Sequence, residues 1–268
     1  MDQKIIISIA PTGGWGREYN NPVRSADIAA DVINCARSGA SVVHLHARDE
    51  DGNLTTDLTA FNNAVQIIKD SCDIILEAST GGLSDFTAAE RVMPTINSYA
   101  QMGSLNIGSL NFGDEVYKNG LRDVRFWIKT LKERGVKPSL EIFDTGNMET
   151  ALHLINEGLI SLPCNFSFIF DVKWGMPFHS SILSYLIEKV PENCNWGALL
   201  VGSTTFANHI EAARKGAKML RVGFEDSRHY NSRTASENEE LVLALRDELE
   251  TAGFSIATTD EARAVLLK

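Results

Sequence analysis

The sequence predicts a (β/α)8 barrel, or TIM barrel, that forms a single domain over residues 1–268. Eight short runs rich in β-branched and aliphatic residues recur along the chain, and a longer segment with helical spacing follows each of them. The runs are almost continuously apolar, which is typical of parallel strands buried on both faces. Eight such units with little sequence left over favour closure into a barrel, for which about 250 residues is a usual length.

The predicted elements alternate in order along the chain. The strands are 4–11, 41–49, 73–80, 103–109, 137–144, 164–172, 195–203 and 218–226. The helical segments are 25–39, 56–70, 87–101, 120–135, 148–158, 179–190, 205–216 and 237–253. Several of them end in glycine, as helices commonly do. The alternative architecture is an open doubly wound sheet, but no GxGxxG phosphate-binding pattern follows the first strand.

Composition and charge argue against several classes of protein. The net charge of -10 indicates no basic surface for nucleic acid or anionic lipid, and solubility accounts for it. No stretch approaches the roughly 18 apolar residues of a membrane helix, and the first apolar run is too short for a signal peptide. The four cysteines lie far apart without a CxxC pair, which predicts reduced thiols and a cytoplasmic location.

A His-x-His pair ends the second predicted strand. Alternate side chains of a strand share a face, so His44 and His46 point the same way, at the end where TIM barrels keep their active sites. Glu225 stands at the corresponding end of the eighth strand. Two imidazoles and a carboxylate with open coordination positions are typical of a catalytic divalent ion, zinc first, with Mn, Fe or Co also accepted. The alternative is a hydrogen-bonded pair of core histidines.

Further charged residues accompany this predicted centre. Arg221 has the strand parity of Glu225 and is expected inside the barrel, where a guanidinium needs an acidic side chain or a substrate carboxylate. Asp226 is placed to pair with Arg221 or to act as a general base, or the two form a salt bridge that orients Glu225. Glu141 and Asp144 on the fifth strand add acid to the same rim. The other histidines are expected at the surface: His153, His179, His209 and His229.

Glycine-rich turns follow the first and third strands. In STGG (79–82) the glycines let the backbone approach a ligand, and Ser79 offers a hydrogen-bond donor to an oxyanion or a carboxylate. PTGG (11–14) offers a similar turn after the first strand. These turns predict that the substrate binds at the same rim as the metal.

The chain resembles the β-keto acid cleavage enzyme family. The resemblance runs from Thr12 to about Asp226 and rests on motifs in this order: HLHARD (44–49), STGG (79–82), SLNIGSLNFG (104–113), LEIFDTGN (140–147), KWGMP (173–177) and RVGFED (221–226). It implies a zinc-dependent (β/α)8 enzyme, usually a homotetramer. Such an enzyme condenses a β-keto acid with acetyl-CoA and cleaves the product to acetoacetate and a new acyl-CoA.

The resemblance also implies roles for individual residues. His44, His46 and Glu225 correspond to the ligands of one Zn²⁺ per chain, and Arg221 and Asp226 to a catalytic pair. Independently of the resemblance, the place of Glu141 on the rim makes it a further candidate catalytic acid, or a residue that supports the others. The residues corresponding to those at the substrate's carboxylate end are Ser79, Gly82 and Asn106.

One position differs from members of the family that act on an amino substrate. Trp15 stands where they carry a glutamate, which predicts a neutral or apolar β-keto acid bound near its indole. A metal-dependent aldolase or lyase without CoA would use the same site. A catalytically inactive barrel with a binding role is the alternative outside enzymes.

Overall fold

The computed structural model describes residues 3–268 and contains a closed barrel of parallel strands, which confirms the predicted fold class. The eighth strand pairs with the first, with Ile6 opposite Met219 and Ile9 opposite Val222. The open doubly wound alternative is therefore wrong. The organisation of residues 1–268 as one domain stays a prediction. The barrel strands β1 to β8 are Lys4–Ile9, Ala40–Leu45, Ile75–Ala78, Ala100–Asn106, Lys137–Ile142, Asn165–Phe170, Asn195–Leu200 and Met219–Val222.

Helices follow the strands around the outside of the barrel. Of these, α3 is much shorter than the predicted segment 87–101, because Pro94 lacks the N–H that would continue the helix after Val92. Within residues 3–268, no helix combines the length and the apolar character that crossing a membrane requires. Helices α1 to α9 are Ser25–Arg37, Thr59–Ser71, Ala88–Val92, Leu121–Arg134, Thr145–Asn156, Ser180–Lys189, Ala207–Arg214, Asn238–Thr251 and Thr259–Leu266.

The last helix, α9, closes the amino end of the barrel and was not predicted. Its Ala262 and Leu266 pack against inward side chains of the strands, among them Val42 and Met102. The Asn165 side chain donates a hydrogen bond of 2.8 Å to the Leu266 carbonyl oxygen. This end of the barrel interior is therefore apolar and covered.

The carboxyl half of the barrel interior is polar instead. Moving two residues along a strand from an inward apolar residue reaches a polar one, so His44 follows Val42 and Glu77 follows Ile75. Interiors of such barrels are usually filled by branched apolar residues, so buried polar side chains at one end indicate a site rather than packing. The inward polar residues of this half are Ser8, His44, Glu77, Ser104, Glu141, Ser167 and Arg221.

Two short hairpins interrupt the alternation of strands and helices, and neither was predicted. The first joins Leu110–Phe112 to Glu115–Tyr117 after β4, at the carboxyl end of the barrel. The second joins His229–Tyr230 to Arg233–Thr234 after β8. Because both follow the carboxyl ends of strands, they border the face where the polar interior opens.

Candidate active site

Three side chains meet at the carboxyl end of the barrel. His44 belongs to β2, His46 follows that strand directly, and Glu225 lies in the segment after β8. The Nε2 atoms of His44 and His46 are 3.4 Å apart. Glu225 Oε1 lies 3.7 Å from Nε2 of His44 and 3.5 Å from Nε2 of His46. The structure thus brings the three predicted ligands together as a triangle of donor atoms.

The dimensions and chemistry of this triangle are close to those of a divalent metal site. Zinc, for example, binds nitrogen and oxygen at about 2.0–2.2 Å, so donor atoms of a tetrahedral site lie roughly 3.3–3.6 Å apart. His44 Nδ1 is 2.9 Å from Glu77 Oε2, and this hydrogen bond leaves the lone pair of Nε2 directed at the triangle. At 3.4 Å the two Nε2 atoms can share a proton or hold a cation between them, and Glu225 beside them favours the cation. The side chains fit the predicted metal, whose identity stays a prediction.

Burial and neighbouring charges put two of the three predicted ligands, Glu225 and His46, in the protonation states that metal binding needs. Burial alone would raise the pKa of Glu225, but His46 and Arg221 outweigh it and hold that pKa well below its usual range. Burial lowers the pKa of His46. For His44 burial acts in the same direction, but Glu225 and Glu77 raise the pKa by more. Glu225 is therefore ionised and His46 neutral near pH 7, as ligands must be.

A turn, rather than the strand, carries Glu225. The prediction extended the eighth strand to residue 226, but β8 ends at Val222. Gly223 has φ +138°, and a Cβ there would lie 2.1 Å from the Ala10 carbonyl oxygen, so the position requires glycine. The Asp226 backbone N–H then donates to the Gly223 carbonyl oxygen at 2.9 Å. The prediction that Glu225 lies on the eighth strand was therefore wrong, although its carboxylate still reaches the triangle.

Arg221 and Asp226 form a buried ion pair beside the triangle. Arg221 Nε donates to Asp226 Oδ2 at 2.9 Å, and Nη2 donates to Oδ1 at 2.5 Å. Nη2 also lies 3.2 Å from Glu225 Oε1. Burial raises the pKa of the Asp226 carboxyl more than the guanidinium lowers it. This arrangement suits both predicted roles, a catalytic pair and a support that orients Glu225.

Ser79 lies against the triangle, whereas Gly82 lies behind it. Ser79 Oγ is 3.3 Å from His46 Nε2 and 3.4 Å from Ser104 Oγ. The Gly81 backbone N–H donates to the same oxygen at 3.0 Å. A Cβ on Gly82 would lie 3.1 Å from Arg91 Cγ, so this glycine lets the chain pass close to a buried arginine. Ser79, and not Gly82, therefore lies next to the predicted metal ligands.

Asn106 and Glu141 face the same interior on neighbouring strands. They are opposite one another in the register of β4 and β5. Asn106 is 1% exposed, and its Nδ2 has no hydrogen-bond partner in the part of the chain that the structure covers. Burial raises the pKa of Glu141 to about 7. Asp144 has a different place, because its Oδ1 accepts the Asn147 backbone N–H at 2.7 Å and caps α5.

Trp15 lies at the rim, in the loop after β1. Its indole is 37% exposed, and its centroid is 6.2 Å from that of Phe224, the residue before Glu225. The Arg228 guanidinium carbon is 5.9 Å from the centroid of the same indole. The position is compatible with the predicted contact to the substrate's acyl part.

Two residues that were not predicted from the sequence touch the site directly. Glu77 supports His44, and the period-two pattern of its strand carried a signal for it, since Glu77 shares the parity of the inward Ile75. Tyr117, at the end of the first hairpin, places its hydroxyl beside Gly81. No strand or helix period predicts a residue that a hairpin folds back over the barrel.

His209 is buried, and the prediction that it lies at the surface was wrong. It is 3% exposed, its Nε2 is 3.3 Å from the Arg221 carbonyl oxygen, and its ring packs edge-on against Phe206. The face of helix α7 that carries His209 packs against β8. Burial lowers the pKa of His209 to about 4, so the imidazole is neutral in the folded protein at pH 7.

We expect His209 to weaken the protein in acid. Its pKa is about 4 in the folded state, compared with about 6.5 in an unfolded chain. The unfolded state therefore binds more protons in this window, and stability falls as the pH decreases from 6.5 towards 4, by roughly 3 kcal/mol from this residue. Urea unfolding with EDTA at pH 7 and pH 4 should show a smaller loss for His209→Gln than for wild type. The exposed control His153→Gln should lose as much stability as wild type, and equal losses in all three would contradict the assignment.

With this geometry established, comparison with known proteins identifies the family. Residues 4–267 match the family model described as beta-keto acid cleavage enzyme. The chain belongs to this family. The match covers nearly the whole chain and confirms the resemblance found in the sequence motifs.

Relatives within the beta-keto acid cleavage enzyme family differ in the substrates their names record. The chain is 35% identical to the 3-keto-5-aminohexanoate cleavage enzyme of Fusobacterium nucleatum, over 99% of this chain and 98% of that protein. It is 28% identical to the 3,5-dioxohexanoate:acetyl-CoA acetone transferase of Paraburkholderia graminis, over 98% of this chain and 96% of that protein. The fold is shared with ObcA, solved as a ternary complex with a C4-CoA adduct and oxalate, at 18% identity and a TM-score of 0.71 over 91% of this chain and 66% of that one.

Proposed function

We propose that this protein is a zinc-dependent acyltransferase that exchanges acyl groups between a β-keto acid and acetyl-CoA. The observation that carries this proposal is the triangle of His44, His46 and Glu225, with Ser79 on one side and the Arg221–Asp226 pair on the other. Membership of the family supports the reaction class. The tetrameric assembly and the cytoplasmic location stay predictions.

The proposed reaction conserves every atom of its two substrates. The β-keto acid R–CO–CH2–COO⁻ and acetyl-CoA give acetoacetate and R–CO–CoA. A carbon–carbon bond forms between C2 of the β-keto acid and the acetyl carbonyl carbon, and the bond between C2 and the original keto carbon breaks. The C–S bond of acetyl-CoA breaks and releases the CoA thiolate, whose sulfur then bonds to the original keto carbon, so that the acyl group R–CO leaves as R–CO–CoA. One proton leaves C2 and one returns to it.

The side chains around the triangle supply what this exchange needs. A divalent ion on His44, His46 and Glu225 would supply a Lewis acid for the keto oxygen of the substrate. Asp226 accepts the proton from C2 and returns it after cleavage, as a general acid and base. Arg221 holds the Asp226 carboxylate in place through two hydrogen bonds.

The polar interior around these residues accounts for substrate binding. Ser79 offers its hydroxyl to the substrate beside His46, and Asn106 offers an unpartnered Nδ2 from β4. Gly82 has no side chain, which lets the backbone of STGG (79–82) pass close to Arg91 beside this site. Glu141 is a second candidate proton carrier, because burial brings its pKa to about 7. Acetyl-CoA as the cosubstrate is supported by the name of the Paraburkholderia graminis relative.

Trp15 makes the choice of β-keto acid testable. An ammonium group of the substrate would lose water beside an indole without gaining an anionic partner, which costs about tenfold or more in affinity. With zinc and acetyl-CoA, we expect 3-oxohexanoate to form butyryl-CoA with a kcat/KM at least about tenfold above that for 3-keto-5-aminohexanoate. Liquid chromatography of the acyl-CoA products measures both rates.

The matched control for this test is Trp15→Glu, which restores an anionic partner for the amine. We expect the variant to narrow or reverse the preference. A wild-type preference for the amino substrate would overturn the assignment of Trp15. Cleavage of the β-keto acid without any CoA ester would overturn the acyltransferase itself and favour a lyase.

A further inference from the structure

The hydroxyl of Tyr117 lies in the space where the substrate is proposed to bind. A Cβ built on Gly81 would lie 2.8 Å from His46 Cε1, 3.0 Å from Ser79 Oγ and 3.0 Å from the Tyr117 hydroxyl oxygen. These three groups therefore lie close together around Gly81, where a side chain would displace at least one of them. Through His46 they adjoin the predicted metal ligands.

The hydrogen bonds around Tyr117 leave its proton free. Arg91 Nη2 donates to the hydroxyl oxygen at 3.1 Å. Because a guanidinium N–H can only donate, the hydroxyl oxygen acts as the acceptor in this hydrogen bond. Over residues 3–268 no acceptor is found for the hydroxyl proton of Tyr117. The hydroxyl can therefore donate to a ligand at Gly81.

Arg91 brings an uncompensated positive charge to the same place. It is 4% exposed, and its partners are all neutral. They are the carbonyl oxygens of Thr80 and Lys118, the Tyr117 hydroxyl and Asn119 Oδ1. The guanidinium carbon lies 4.5 Å from the centroid of Trp127. In the described part of the chain no carboxylate comes within ion-pair distance of it, although buried charges are normally paired.

We propose that Tyr117 binds the carboxylate of the β-keto acid, and that the charge of Arg91 acts on this carboxylate through the shared hydroxyl. The inference rests on the proposed function, which supplies a substrate with that group. An anion at Gly81 would accept the free proton of Tyr117 and provide the counter-charge that Arg91 lacks. Ser79 Oγ lies beside Gly81 as well and would contact the same carboxylate.

Removal of the hydroxyl alone is a clean test, because the Tyr117 ring has its own packing. The ring lies edge-on to Phe112 and to Phe143, with centroids 6.1 Å and 6.4 Å away, and Phe at position 117 keeps both contacts. Tyr185→Phe is the matched control, since it removes a hydroxyl that bonds Glu149 on the surface.

Calorimetric titration of the zinc-loaded protein measures the effect with two probes, acetoacetate and its neutral analogue acetoacetamide. For Tyr117→Phe we expect acetoacetate to bind about tenfold more weakly than to wild type, because a hydrogen bond to a charged group is lost. Acetoacetamide should weaken by less than half that factor, and Tyr185→Phe should match wild type with both probes. The KM for a β-keto acid should rise in proportion while the KM for acetyl-CoA stays unchanged.

Three results would overturn the inference. Unchanged or tighter acetoacetate binding by Tyr117→Phe would show that the hydroxyl makes no hydrogen bond to the ligand. Equal losses with both probes would show that the carboxylate is not what it recognises. Failure of the wild type to bind acetoacetate would show that the site does not recognise a β-keto carboxylate. If the wild type forms no acyl-CoA but the selective loss of acetoacetate binding is seen, the proposed function fails and this inference stands.

Discussion

Asp226→Asn is expected to lower kcat by about 10²–10⁴-fold while the protein keeps its metal. An amide cannot accept a proton at neutral pH, and general acid–base groups contribute factors of this size. Asp226 is buried and held by Arg221 through two hydrogen bonds. Another carboxylate would have to move to replace it as the base. Steady-state kinetics with 3-oxohexanoate and acetyl-CoA, together with metal analysis of the same sample, measure the effect.

The control for this variant is Asp114→Asn, because the Asp114 side chain is 96% exposed. It should retain wild-type kcat. If Asp226→Asn kept more than about a third of kcat with full metal content, Asp226 would be limited to supporting Arg221 and Glu225. Glu141, which faces the same interior, would then be the remaining candidate for proton transfer.

His46→Ala is expected to remove both the metal and the activity. Residues that only hydrogen-bond to a metal ligand typically contribute about 10–100-fold to metal affinity. Loss of a ligand itself should therefore lower the metal affinity by more than about a hundredfold. We expect wild-type protein to carry about one zinc per chain and the variant to be nearly free of it after the same purification. Inductively coupled plasma mass spectrometry and the acyl-CoA assay provide the two readouts.

His153→Ala is the matched histidine control. His153 is exposed on α5, where its Nε2 lies 3.2 Å from Glu157 Oε1. It should keep both metal and activity. Retention of zinc by His46→Ala with unchanged stoichiometry would show that the imidazole is not a ligand, and loss of activity alone would then need a different cause.

The fold and the two histidine ligands were predictable because they depend on short-range periodicity. Alternation of two along β2 places His44 and His46 on one side, and the order of apolar runs and helices specifies the barrel. Glu225 was found for a partly wrong reason. Its carboxylate reaches the triangle through the turn at Gly223, whose φ depends on the approach of Ala10 from β1.

The remaining features depend on contacts that the local sequence does not encode. Tyr117 reaches the site because a hairpin folds back over the barrel, and Arg91 reaches Tyr117 from α3. His209 is buried because α7 packs this face on β8. Helix α9 is only eight residues long and packs across the amino end of the barrel, directly after the two-residue strand Ser255–Ile256 that pairs with β1.

Anomalous X-ray diffraction at the zinc absorption edge, on crystals of the protein purified with zinc, tests the metal centre most directly. The account predicts one strong peak per chain, about 2.0–2.2 Å from His44 Nε2, His46 Nε2 and a carboxylate oxygen of Glu225. A structure with these three side chains directed apart, or with the zinc peak held by other residues, would contradict it.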